Sequence, residues 1–63
     1  MNLQEQVLKA ILERPGTSKK RIARLFDLSS YRLHRVFRHI ERDLQGRTLV
    51  HHDENGVWVV KMA

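Results

Sequence analysis

The sequence predicts a small, mainly α-helical domain that closes with a β-hairpin, an α+β class. Apolar residues recur every three or four positions up to about residue 45, the spacing of helices that bury one face. Two β-branched segments then flank an Asn-Gly pair, a pattern typical of a hairpin. A chain of 63 residues has room for one domain. We expect helices at about 2–14, 18–26 and 30–45, and the hairpin at about 48–61.

The first two helices have clear start and stop signals. Asn2 and Glu5 resemble a capping box, and Pro15 ends the first helix because it disfavours helical backbone in the residue before it. Thr17 or Ser18 is the expected N-cap of the second helix. The expected buried residues are Leu3, Val7, Ala10 and Ile11, with Leu8 and Leu12 as further candidates, and then Ile22, Ala23, Leu25 and Phe26.

The third helix has one apolar and one basic face when its residues are placed at about 100° intervals. Ser29 is its expected N-cap and Gly46 its expected C-cap. The apolar face carries Leu33, Val36, Phe37, Ile40 and Leu44. The opposite face carries Tyr31, Arg35, Arg38 and Arg42, with His34 at one edge and Arg32 and His39 at the other.

The hairpin should have strands at 48–52 and 57–61, joined by residues 53–56. Because an isolated two-stranded hairpin is only marginally stable, one of its faces must pack on the helices. We expect that face to be the one that carries Trp58. The connection is acidic, with Asp53 and Glu54 at its tip.

Positive charge is concentrated in the middle of the chain. Nine of the 12 basic residues lie within residues 14–42, which hold only two acidic residues, and the formal net charge is +5. Such a block favours a polyanionic partner, although a solvated, solubilising surface is the alternative.

Several protein classes are disfavoured by the composition. The chain has no cysteine, which excludes a disulfide scaffold, a thiolate zinc site and a cysteine nucleophile. It has neither an 18-residue apolar run nor the pattern of a secretory signal. We therefore expect a cytoplasmic, nucleoid-associated or otherwise intracellular protein without a membrane partner.

Residues 17–61 resemble the winged helix-turn-helix superfamily of DNA-binding domains. The likeness rests on residues 21–29, with Ala23 at the small position between two helices and Leu28 in the turn. It extends through the core positions of the third helix to residues 48–61, which are similar to the wing.

The resemblance implies that the third helix enters the major groove of double-stranded DNA, which is wide enough for one helix. Arg35 is the strongest candidate for a base contact, since a guanidinium can pair with guanine in bidentate fashion. The full set of candidate base contacts is Ser30, Tyr31, Arg32, His34 and Arg35. The candidate phosphate contacts are Thr17, Ser18, Lys19, Lys20, Arg38 and Arg42.

Each assignment has a structural alternative. The arginines could solubilise the helix, the Tyr31 ring could pack at the helix base, and Lys19 and Lys20 could be ordinary surface charges. The acidic wing tip departs from the superfamily pattern, because carboxylates repel phosphates. A wing that points away from DNA or contacts a protein is therefore expected.

Two functions are favoured at this level, and RNA binding is a third, less favoured one because the major groove of A-form RNA is too narrow for a helix. The first is a sequence-preferring regulator of transcription that binds double-stranded DNA, with a homodimer reading two half-sites as one arrangement. The alternative is an interaction module that docks its basic face on an acidic protein. No catalytic or metal-ligating constellation, cofactor site or small-molecule substrate site is evident.

Overall fold

The computed structural model describes residues 2–61 and confirms three helices followed by an antiparallel two-stranded hairpin. The elements are α1 (Leu3–Glu13), α2 (Lys19–Leu25), α3 (Ser30–Asp43), β1 (Thr48–Asp53) and β2 (Gly56–Lys61). The α+β class and the order of elements are therefore as the sequence predicts.

Each helix begins with a side-chain cap that the sequence identifies. The Asn2 side chain accepts a hydrogen bond from the Glu5 N–H (2.9 Å), and Ser18 accepts one from Arg21 (3.1 Å). Ser29 does the same for Arg32 (3.2 Å). These bonds satisfy amide groups that have no partner within the helix.

The ends of α2 and α3 come earlier than expected, because both close in a Schellman turn. The N–H groups of Gln45 and Gly46 donate to the carbonyls of Arg42 (2.9 Å) and Glu41 (3.0 Å). Leu44 is the C-cap of α3, so the expected cap at Gly46 is wrong by two positions. Gln45, with φ +57°, and Asp27 after α2, with φ +54°, take the left-handed conformation usually filled by glycine.

A single core lies between the helices and one face of the hairpin. Most of the predicted apolar positions of α1 and α3 belong to it. The buried hydrophobic residues are Val7, Ile11, Ile22, Leu33, Val36, Phe37, Ile40, Val50 and Val57.

Two leucines expected in or beside the core are instead exposed. Leu25 is 61% exposed and Leu12 is 58% exposed. On a helix as short as α2, Ile22 and Phe26 lie one turn apart and define the inner face, which places Leu25 off to its side. Leu25 lines a surface depression with Ala10 of α1.

The face of the hairpin that packs on the helices is not the one that carries Trp58. Val50 pairs with Val59 and His52 with Val57, and these residues lie on the inner face because side chains alternate along a strand. Trp58 lies on the outer face, next to His51. Val50 and Val57 on the inner face are buried, and Val59 packs against the core.

The segment before α2 also pairs with β2 through a single antiparallel bridge, Thr17 with Val57, which the sequence does not predict. The Gly16 N–H donates to the Val57 carbonyl (3.0 Å), and the Val57 N–H donates to the Thr17 carbonyl (2.9 Å). The segment between α1 and α2 is thereby held along the free edge of β2. This contact fixes the start of α2 beside the hairpin.

Candidate nucleic-acid interface

The basic face of α3 is open to solvent along its whole length. Tyr31, Arg35, Arg38 and Arg42 are all exposed, and they recur over three turns of one continuous helix. We call these four residues the basic surface. The buried residues of α3 lie on its other side, so the two-faced helix that the sequence predicts is observed.

Tyr31 and Arg35 interact within the basic surface. The Arg35 guanidinium carbon lies 5.9 Å from the centre of the Tyr31 ring, within the range of a cation–π contact. Tyr31 is 71% exposed, so its ring does not pack into the core. The ring limits the positions of the Arg35 side chain while leaving its N–H groups free for a partner.

The candidate base contacts other than Tyr31 are divided between the two sides of α3. Arg32 and Arg35 line a depression of about 260 Å³ against the start of α1. Ser30 and His34 line a depression of about 400 Å³ against α2. The five candidates are thus all accessible, but they form a broad band across α3 and not a single row.

The candidate phosphate contacts at the start of α2 differ in availability. The Thr17 hydroxyl donates to the Arg14 carbonyl (2.7 Å), and the Ser18 hydroxyl caps the helix. Both hydroxyls therefore have structural roles. Lys19 and Lys20 line the depression between α2 and α3 and are the freer of the four.

A histidine pair lies at the boundary between α3 and the hairpin. The rings of His34 and His52 are 5.0 Å apart, measured between centroids, and the Phe37 ring lies 5.5 Å from His52. His34 and His52 are 18 positions apart in the sequence. Only the register of β1 over α3 brings the two histidines together.

The environment of His52 is unfavourable for a positive charge. Burial lowers the pKa of His52 below its ordinary value, and the positive charges of Lys19, His34 and His51 lower it further. Glu41 acts in the opposite direction. The Glu41 carboxylate is itself held in place, because it accepts a hydrogen bond from the Val50 N–H (3.0 Å).

The tip of the hairpin carries its own local contacts. Asp53 accepts a hydrogen bond from the Asn55 N–H (2.7 Å), which is the main reason that the pKa of Asp53 is lowered. His51 Nε2 lies 3.3 Å from the second Asp53 oxygen. Glu54 is exposed beside them, so the tip presents carboxylates.

The cations of the basic surface have no ion-pair partner among residues 2–61. Within that range the ion pairs are Lys9–Glu13, at 3.9 Å, and His51–Asp53. Neither pair involves α2 or α3. The positive charge of these two helices is therefore available to a partner.

Two further properties concern the described part of the chain. Residues 2–61 contain no group of three or more metal-ligating side chains placed to hold an ion. None of the helices in that range is long and apolar enough to cross a membrane.

Comparison with known proteins finds no match to this chain among family models, curated proteins or solved structures.

Proposed function

We propose that the protein binds double-stranded DNA with a preference for particular sequences and acts as a small transcriptional regulator. The observation that carries the proposal is the basic surface: an exposed helix face with three arginines, none of them paired with a carboxylate of residues 2–61. One α-helix fits the major groove of B-form DNA. The three arginines are all exposed, so the other described residues leave this face unobstructed.

The positions along α3 indicate different roles for the arginines. Arg35 lies in the first half of the helix, which in this docking mode meets base edges, and Tyr31 restricts its motion. Arg38 and Arg42 lie farther along the same face and are suited to phosphates. Lys19 and Lys20 line the depression between α2 and α3, where they would add phosphate contacts from α2.

The experiment is a binding-site selection from random duplexes, followed by titration of the selected duplex and a scrambled duplex at several salt concentrations. We expect the apparent Kd to rise steeply with salt, because phosphate contacts release counterions. Arg35→Ala should reduce the preference for the selected duplex by roughly tenfold or more, which corresponds to about 1–3 kcal/mol. Arg38→Ala should weaken both duplexes alike.

Arg14→Ala is the matched control, since it removes the same charge from an exposed position that faces a depression between α1 and α2. It should change binding less than either α3 variant. Equal losses for Arg14→Ala and Arg35→Ala would show only a general charge effect and would reject the assigned surface.

A homodimer would bring two such helices to one DNA site, and α1 offers a surface for it. The exposed Leu12 and half-buried Leu8 lie beside Lys9 and Glu13. In a dimer with antiparallel α1 helices, Lys9 of each copy would lie near Glu13 of the other copy. The selected duplexes test this, because a dimer should select two symmetric half-sites about one helical turn apart.

The second candidate function is a protein-interaction module, and the exposed carboxylates of Asp53 and Glu54 favour it. Carboxylates at the hairpin tip would repel a DNA backbone, whereas the basic surface would suit an acidic protein. A mobility-shift assay with random genomic fragments at low salt separates the two functions. Absence of any shift would reject DNA binding and favour the protein partner.

A further inference from the structure

Three elements bring cationic side chains to one point at the edge of the basic surface. Thr17 pairs with Val57 of β2, and Val57 pairs with His52 of β1. This row of backbone contacts brings the start of α2 toward β1, and the positive charge of Lys19, two residues beyond Thr17, acts on His52. On the other side the His34 ring of α3 lies 5.0 Å from the His52 ring.

Basic side chains lie beside Lys19 and His34 of this cluster. Lys19, Lys20, Arg24, Ser30 and His34 line the depression of about 400 Å³ between α2 and α3, and no carboxylate lines it. Two other charged groups act on His52. Glu41 on α3 is the acidic group that acts on it, and its Oε2 is already bonded to the Val50 N–H. His51 precedes it on β1 and points to the outer face, toward Asp53.

We propose that Lys19, His34 and His52 form a binding site for one phosphate oxyanion, and that filling this site requires the histidine pair to take up one proton from solvent. The proposal rests on the proposed function, in which the oxyanion is a phosphodiester of the DNA backbone. A phosphate supplies negative charge beside Lys19 and His34, which line a depression without carboxylates, and His52 lies next to His34. Imidazolium and ammonium N–H groups are strong donors to phosphate oxygens.

The proton requirement follows from the spacing of the pair. Burial lowers the pKa of His52 in the free protein, and the positive charges of Lys19 and His34 lower it further, because two charged imidazoles at this distance and the Lys19 ammonium would repel one another. An oxyanion between them offsets the positive charge and favours the protonated form. Binding and proton uptake are therefore linked, and the affinity should rise as the pH falls, by at most about tenfold per pH unit for one proton.

The test measures duplex binding by fluorescence anisotropy between pH 5.5 and 8 at constant ionic strength. The wild-type Kd should rise several-fold from pH 6 to pH 8. His34→Gln and His52→Gln should each flatten this dependence, and Lys19→Ala should reduce the slope of log Kd against log salt by about one. His51→Gln is the matched control, because its side chain lies on the opposite face of the hairpin; it should retain the full dependence.

Retention of the pH dependence in both His34→Gln and His52→Gln would overturn the proposal. So would an equal loss of the dependence in His51→Gln. Circular dichroism of each variant establishes that it is folded, and His34 is exposed, so that its variant keeps the test valid even if His52→Gln unfolds.

A second arm separates this proposal from the proposed function. The His52 ring is titrated by NMR with and without inorganic phosphate, using chloride at the same ionic strength as the reference. A phosphate-dependent rise in its titration midpoint, in a protein that binds no duplex, would support the oxyanion site and reject DNA as its source. No rise with phosphate, together with pH-independent duplex binding, would reject the site and leave DNA binding in place.

Discussion

Gly56 occupies a position where a side chain has no room. Its φ is +135°, and a Cβ built there would lie 2.2 Å from the Gly16 carbonyl oxygen. The close approach is what allows Val57 to bond both Gly16 and Thr17. Glycine is therefore needed at this position for steric reasons as well as for its backbone conformation.

Gly56→Ala should destabilise the protein by about 2 kcal/mol or more, because the chain must separate Gly56 from Gly16 and weaken the bonds to β2. Thermal unfolding followed by circular dichroism measures the effect, and about 1 kcal/mol corresponds to roughly 4–8 °C in a domain of this size.

Gly46→Ala is the matched control for this prediction. Gly46 also has a positive φ, +71°, but nothing lies within 4 Å of a Cβ placed there. Its replacement should cost only about 1 kcal/mol, the penalty of the left-handed conformation. Equal destabilisation by the two substitutions would contradict the steric role assigned to Gly56.

At the scale of the elements, the end of α3 carries a residue that is unfavourable for its conformation. Gln45 has φ +57° in the Schellman turn, where most proteins place glycine. Gln45→Gly should raise the stability by about 0.5–1 kcal/mol, since it removes backbone strain and keeps both turn hydrogen bonds. The check is the midpoint of urea unfolding; an unchanged or lower midpoint for Gln45→Gly would show that the turn is not strained.

The helices were predictable from the sequence because their signals are local. Side-chain caps at Asn2, Ser18 and Ser29 and the period of the apolar residues depend only on neighbours a few positions away. The same holds for the basic surface, whose members share a helix and therefore a face. The ends of α2 and α3 were less predictable, because Asp27 and Gln45 are not glycines.

The hairpin and the histidine pair depend on contacts between distant parts of the chain. Alternation in β2 gives two candidate inner faces, one with Val57 and Val59 and the other with Trp58. We expected the face with Trp58, whereas Val57 is buried and Val59 packs against the core. The meeting of His34 with His52 depends on that same choice, so no local pattern could have predicted it.

At the scale of the whole molecule, we expect acid to act in opposite directions on the folding of the free protein and on the proposed DNA binding. The net charge is +5 with neutral histidines, and protonation of the four histidines adds to the repulsion among like charges. Under the proposed function, bound DNA would relieve that repulsion, whereas the free protein has few carboxylates on α2 and α3 to do so. The folded free protein should therefore become less stable in the pH range where the histidines titrate.

His52 gives this expectation a defined sign. Its pKa is lowered in the folded protein, first by burial and then by nearby positive charges, so the unfolded chain binds a proton more readily than the folded chain. The stability that His52 contributes is fully present above the ordinary histidine pKa, about 6.5. It is lost as the pH falls below that value and through the lower pKa that His52 has in the folded protein. The lowered pKa of Asp53 acts in the same direction, but only near and below the ordinary aspartate range.

The midpoint of urea unfolding of the free protein should consequently be lower at pH 5.5 than at pH 7.5. His52→Gln should reduce this difference in midpoint between the two pH values, and His51→Gln should reduce it less. Added duplex should raise the unfolding midpoint more at pH 5.5 than at pH 7.5, because it binds the protonated folded form. An unfolding midpoint of the free protein that does not fall with pH, or a decrease that His52→Gln leaves intact, would contradict the assignment to His52. A stabilisation by duplex that is equal at the two pH values would instead contradict the link between proton uptake and DNA binding.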